Sequence, residues 1–386
     1  MEGDFRPRPY RVDWIDAAKG IGISLVFYGH FLQCAIDAAN RSAASQLQFI
    51  YSFHMPLFFV LAGFMFKPNP AIGARFVTLA ARRLLPVVFF GLLLTPLWLF
   101  GEVRHGLNVG HDFGGVAHEY LLGRPALDWL TWFLVCLFVC ESLALVTLNR
   151  ISSTLGSVAF GLVCLVVGVV FSEQSFSPAM GELYTVGRTW FLSEAIVALG
   201  FFAIGRAVFP AVKLLGARPV LAAGVFAVGT AIVALTFSRN HDASGPVVVM
   251  MASRHHGDLL WFVLTALSGS TAAVALGAVV SNFTWLRFLG GNSLALLGLN
   301  GLFFHYIDPR IEQFWHVGDS ALAVTGSALI ATILSLLVCV PAVYLLNRFV
   351  PQLIGRPEVT GPWLPALLGK RGGSAAVSVR AERPAT

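Results

Sequence analysis

The sequence predicts an all-α integral membrane protein, a bundle of about ten transmembrane helices with both termini on the cytoplasmic side. Three observations predict it. Of 386 residues, 56% are hydrophobic and only 12% are charged, with a mean hydropathy of +0.75. A soluble chain carries roughly 25% charged residues and needs them to cover its surface. The apolar residues fall in continuous runs close to the ~20 residues that cross a bilayer, without the period-2 alternation of a membrane barrel. Finally, Lys and Arg fall unevenly on the loops between those runs, and this asymmetry reports orientation.

In chain order the expected spans are 19–37, 49–66, 84–101, 127–148, 155–171, 189–208, 219–237, 259–280, 286–307 and 321–347. The second and fifth are short, which suggests tilted, broken or partly re-entrant segments. With the N-terminus inside, 19 of the 26 basic residues fall on inner segments and 7 on outer ones, as positive-inside topology requires. The polar start of the chain is not expected to act as a cleavable signal peptide. Residues 1–350 are expected to form the membrane domain. Residues 351–386, rich in Pro, Gly, Ser and Arg, read as a flexible basic cytoplasmic tail, at rest near anionic headgroups or solvated. The same composition excludes disorder and a secreted disulfide scaffold, since the cysteines number five and all fall in or beside expected spans as small packing residues. The net charge of +6 is accounted for by topology, so no nucleic-acid partner is expected; oligomeric state is not legible.

Ionisable residues inside apolar runs are costly and mark function by default. The first span holds Asp16 and Lys19 at its inner edge and His30 deep in its outer half. Eleven helical residues bring a side chain back to the same face within about 20°, so Lys19 and His30 share a face about 16 Å apart. The second span brings His54 to the same level, one turn from its outer end. Pro56 removes a backbone donor beside it and predicts a distorted helix there. Glu141, Glu194, Asn300 and His305 are the other polar residues expected in spans, with bridging between helices as the plainer reading. No histidine group has a metal-site pattern with a nearby carboxylate, and no metal is expected.

A buried histidine can act as a general base on a hydroxyl. A lysine on the same face can hold an anion, and Arg82-Arg83 adds charge at the same inner mouth. A donor with phosphates at one end and a reactive carbon on a long arm matches this geometry. Acyl-coenzyme A is such a molecule; the acceptor would arrive from outside.

Several segments together resemble the membrane acyltransferase-3 family, most closely its fucose 4-O-acetylase-like branch. They are Arg11-Val-Asp13-Trp-Ile-Asp16-Ala-Ala-Lys19-Gly20 with Gly29-His30, Phe53-His54-Met55-Pro56-Leu57-Phe58-Phe59 with Ala62-Gly63-Phe64, Arg82-Arg83-Leu84-Leu85-Pro86, Trp132-Phe133-Leu134, and Gly290-Gly291-Asn292-Ser293-Leu294. The resemblance covers nearly the whole chain before the tail. It implies an acyl-coenzyme A-dependent O-acetyltransferase acting on a sugar hydroxyl of an extracytoplasmic or lipid-linked glycan, in a bacterial inner membrane. His30 takes the place of the family's essential histidine and Lys19 that of its paired basic residue. His54 is a second catalytic candidate, and Arg82 and Arg83 are donor-binding candidates. Asp16, Trp132, Glu141, Glu194, Asn300 and His305 are expected to support the site or the acceptor. Ala80 stands where the family often has a second arginine, and Asn300 where its late span often has a histidine. The alternative from residues alone is a multi-span transporter or flippase of a polysaccharide precursor.

Overall fold

The computed structural model describes residues 12–37, 40–106, 109–174, 186–240, 249–314, 318 and 320–369. The expected basic residues at 1–11 and 370–386 lie outside the described residues. Among the described residues the chain is helical, with one isolated bridge between Met250 and His255 and no strand. Fourteen α-helices follow in order among them: α1 Asp13–Asp37, α2 Arg41–Tyr51, α3 His54–Phe64, α4 Ile72–His105, α5 Val109–Leu121, α6 Trp132–Thr147, α7 Thr154–Gln174, α8 Leu192–Val212, α9 Pro219–Thr236, α10 Leu259–Val279, α11 Thr284–Gly291, α12 Ser293–Leu302, α13 Asp308–Phe314 and α14 Ala321–Phe349. Side chains close several helix starts. Asp258 accepts from the backbone N–H of Leu260 and Trp261, Ser320 from Ala323 and Asn40 from Ala43, each satisfying a donor that the first turn leaves open.

Among the described residues, eight helical stretches are long and apolar enough to cross a membrane: 41–64, 72–104, 129–147, 154–173, 186–217, 219–239, 259–279 and 321–349. They correspond to eight of the ten expected spans. The first expected span is present as the 25-residue α1, where Lys19, His30 and Gln33 dilute the apolar run. The ninth is broken into α11, α12, a π-helical turn at Phe303–Ile307, and α13. The fifth, expected to be short, is the unbroken 21-residue α7. The second is broken, beside His54 as expected. The break falls at Ser52–Phe53, and Pro56 occupies the first turn of α3, where a missing N–H has no intrahelical partner to lose. α4 is far longer than its expected 84–101. Its 34 residues reach about 51 Å against ~30 Å of hydrocarbon, so Arg82 and Arg83 sit within the helix.

α1 lies inside the bundle, packed against α2, α3, α10, α11, α12, α13 and α14. Its approach to α11 is at backbone distance. A Cβ on Gly20 would lie 2.1 Å from the Leu286 carbonyl oxygen, and one on Gly290 would lie 1.7 Å from the Asp16 carbonyl oxygen. Small residues permit this in a bilayer, where dispersion and not the hydrophobic effect holds helices together. Around this centre, α7 packs on α8, α9 on α10, α3 on α8 and α10, and α4 on α6. The outer helices present apolar side chains outward, such as Leu92, Val220, Leu235, Leu322 and Val338. That much exposed apolar surface is a lipid face.

The chain after α14 differs from the expected free tail as far as it is described. A 3-10 turn at Pro351–Ile354 buries Gln352 completely, and residues up to Gly369 fold back on it, with Leu367 and Leu368 donating to the Pro357 carbonyl.

The glycine contact is testable. Gly290→Ala should lower the stability of the detergent-solubilised protein by about 1–3 kcal/mol through overpacking. Gly224→Ala, where a Cβ meets nothing within 4 Å, should not. Equal melting temperatures for both variants would contradict the close α1–α11 approach.

Candidate active site

The site begins at the end of the bundle that carries Lys19. A cavity of about 390 Å³ lies between the start of α1, the middle of α4, the α11–α12 break and the segment after α14. Asp16, Lys19, Arg82, Ser293, Arg356 and Glu358 are among its lining residues. It shares Lys19, Met65, Arg82, Arg83, Ser293 and Leu294 with a second cavity of about 360 Å³ that continues into the bundle. The wall of this inner cavity turns apolar through Ile23, Val26, Phe58, Phe133 and Leu297, with Arg75 near its mouth. A basic mouth therefore leads to an apolar throat.

The two arginines of the mouth are not equivalent. Arg83 meets Glu141 in a bidentate pair, Nε to Oε2 at 2.8 Å and Nη2 to Oε1 at 2.9 Å. The pair is three-quarters or more buried at both side chains. Glu141, expected to bridge helices or support the site, thus neutralises Arg83 and ties α6 to α4. Arg83 is not an open phosphate ligand in this state. Arg82 pairs with Glu358 at 3.0 Å, a residue from the segment read as tail.

The throat ends one helical turn short of two histidines. Val26 lies four residues before His30 on α1, and Phe58 four residues after His54 on the oppositely running α3. Both rings are buried. His30 Nδ1 lies 2.9 Å from Asn300 Nδ2 and the ring packs on Phe304, centroids 4.9 Å apart. An amide nitrogen only donates, so this contact places the neutral ring's proton on Nε2. His54 Nδ1 lies 3.1 Å from the Ile50 carbonyl oxygen. A carbonyl only accepts, so the proton sits on Nδ1 and Nε2 carries the lone pair. Tyr51 stacks on His54 with centroids 4.5 Å apart. His54 and His305 both lie within electrostatic reach of His30. The π turn brings His305 there. Its wider i→i+5 pitch re-aims side chains after Asn300, a geometry frequent at functional sites.

Beyond the histidines, buried polar atoms lack hydrogen-bond partners: Asn300 Oδ1, His305 Nε2, the Tyr120 hydroxyl and both carboxyl oxygens of Asp128. Buried polar groups are normally satisfied, so such a cluster calls for a ligand or a function. Asp128 is fully buried against Gly301, the residue after Asn300, where a Cβ would lie 2.2 Å from Asp128 Oδ1. Burial pushes the Asp128 carboxyl up to about 8, so at neutral pH it is mostly protonated and can donate as well as accept. Sequence reasoning missed Asp128 and Tyr120. An acidic residue at the first position before an apolar run reads as a helix cap, but this side chain makes no cap hydrogen bond.

Two expected support residues lie in a different cluster. Glu194 is buried with Ser193 at 2.9 Å and Arg254 at 3.9 Å. Trp132 packs on Phe191, centroids 5.6 Å apart, near a backbone with positive φ at Trp190 and Phe191. Neither residue lines the two cavities.

The Arg83–Glu141 pair predicts a strong coupling. Arg83→Met alone should destabilise the protein by leaving a carboxylate uncompensated, and Arg83→Met/Glu141→Leu should recover much of the loss. A coupling of about 2 kcal/mol is expected from the double-mutant cycle of unfolding; additive losses would show that the two side chains do not act as a pair.

Comparison with known proteins agrees with this architecture. No curated protein and no solved structure matches the chain. A family model described as an acyltransferase domain matches residues 12–344, a range that includes Lys19, His30, His54, Arg82, Arg83 and Asn300. By that match over most of its length, the chain belongs to the acyltransferase-3 family of membrane acyltransferases.

Proposed function

We propose that this acyltransferase takes an acyl group, acetyl in the simplest case, from acyl-coenzyme A on the cytoplasmic side. It passes the group to a sugar hydroxyl of an extracytoplasmic or lipid-linked glycan in a bacterial inner membrane. The observation that carries the reading is the alignment of a basic mouth, an apolar throat and two histidines at the throat's closed end. Lys19, Arg75 and Arg82 suit the phosphates of the donor. The throat suits its uncharged arm, and the unpartnered polar groups beyond His30 suit a hydroxyl-rich acceptor. No metal is needed for this chemistry.

In this reading the acceptor hydroxyl attacks the thioester carbonyl carbon as His30 Nε2 removes its proton. The carbon–sulfur bond breaks and the proton passes from His30 to the departing thiolate, giving an ester and a free thiol. His30 can act so when Asn300 turns its Oδ1 to the ring, because only that atom can accept from Nδ1–H and support the imidazolium. Asn300 thus selects the tautomer of His30. His54, with its lone pair already on Nε2, orients the acceptor or shares the proton.

The test uses the protein in native membranes with radiolabelled acetyl-coenzyme A. Wild type should release thiol and place label in a glycan fraction, and His30→Ala should lower the rate by about 10²–10⁴-fold. A folded His30→Ala protein that acetylates normally would remove the site. Label retained on His30 without acceptor would replace direct transfer with an acyl-enzyme.

Orientation is tested separately. With an impermeant maleimide, Gly115→Cys in α5 should react from outside and Pro365→Cys only from the cytoplasmic side. Reaction of both from one side would place the donor mouth on the wrong face.

A further inference from the structure

The segment after α14 covers the donor mouth, and its charges are set against those of α4. Gly355, at φ +87°, makes the turn. A Cβ there would lie 3.2 Å from the Arg82 carbonyl oxygen and 2.8 Å from Leu294, so the strand of chain is pressed onto the cavity rim. Arg356 then donates to Asn347, to the Gly291 carbonyl at 3.2 Å and to Asn292 Oδ1 at 3.1 Å. Two residues on, Glu358 Oε1 accepts from Arg82 Nη2 at 3.0 Å. Its Oε2 and Arg82 Nε are both buried without a partner. The contact uses one oxygen and one nitrogen where an arginine fork and an anion can use two of each. A third of each side chain remains open to solvent, so the pair is accessible to exchange.

We propose that Glu358 stands in for a phosphate. Arg82, with Arg356 beside it, forms a phosphate-binding pair of the donor site, and the Glu358 carboxylate holds the Arg82 guanidinium until a phosphate of the donor displaces it. The proposal rests on the donor reading above. It adds residues from outside the matched acyltransferase range to the donor site, and it makes the carboxylate a competitor of the donor.

Equilibrium binding of coenzyme A to the full chain in nanodiscs tests it. Glu358→Gln should bind about fivefold more tightly than wild type, the scale of one partly exposed ion pair. Arg82→Gln should bind more weakly, and Glu358→Gln should give no gain in the Arg82→Gln background. Pantetheine, the same arm without phosphates, should bind all four proteins alike. If wild type binds coenzyme A and Glu358→Gln binds it equally or less well, with an unchanged melting temperature, the competition is overturned and the donor reading stands. A gain that survives Arg82→Gln overturns it too, since general charge and not Arg82 would then be responsible. Binding by neither wild type nor Glu358→Gln overturns the donor reading and the proposal together. Glu358→Ala replaces the Gln variant if the latter fails to insert.

Discussion

A helix carrying Lys19, His30 and Gln33 is too polar to stand against lipid, and the arrangement of the bundle follows from enclosing it. Inside a bilayer a backbone or side-chain polar group finds partners only in protein or in a water-filled cavity. α1 is therefore surrounded by seven other helices, and the surrounding helices have to come close. Gly20 and Gly290 let α11 approach at backbone distance, and that approach brings the α11–α12 break and Ser293 beside Lys19. The cavity is the space this enclosure leaves along the polar face of α1.

The polar groups along that face divide into two kinds. At the basic end they are paired: Arg83 with Glu141, Arg82 with Glu358, Arg287 with Asp13 at 2.6 Å. At the other end they are left open: Asp128, Tyr120 and His305 Nε2. The difference suits the donor and acceptor proposed above. Charged phosphates can displace the part-exposed Glu358 carboxylate from Arg82, because exchange replaces one ion pair with another and returns the carboxylate to solvent; Glu141, buried on Arg83, has no such exit. Neutral hydroxyls cannot compete with a carboxylate for a guanidinium. They bind where neutral donors and acceptors stand unsatisfied, and the unpaired cost is relieved when the ligand arrives.

Much of this was legible in the sequence for reasons of period and composition. Apolar runs place the long membrane-crossing helices but not α5, α13 or most of α2, and the eleven-residue interval sets Lys19 and His30 on one face. Partners from distant segments were not legible. Nothing local in Asp128-Trp-Leu-Thr shows that Gly301 will seat the carboxylate, and nothing in Pro351–Gly369 shows that Glu358 will reach Arg82 across the mouth. Within the expected tail, residues 351–369 read as free because Pro, Gly and few apolar residues are the composition of a free segment; Gln352 and the turn at Gly355 fold this described part against the bundle instead. The distortion beside His54 was legible from Pro56, which lacks the N–H that would bond the Ser52 carbonyl and would crowd that carbonyl in a continuous helix. In the first turn it fits the helix, and the preceding Ser52–Phe53 takes up the change of direction.

The ninth span was misread as continuous, and its breaks are where the site is made. A straight helix through 286–307 would carry Asn300 and His305 half a turn apart on its surface, five residues at about 100° each. Two departures change that. Asn292, held by its own amide to the Phe288 carbonyl at 2.8 Å and by Asn347 at 2.9 Å, ends α11 so that α12 can start on a new axis beside His30. The π turn then inserts extra length after Leu302, and His305 falls back toward the same ring that Asn300 bonds. Each departure costs regular hydrogen bonds within the membrane and is held by side chains of neighbouring segments. Such irregular backbone survives in a bilayer only where it is enclosed by protein or lines a cavity. The same enclosure of α1 that leaves the cavity therefore also permits the broken helix that completes the site.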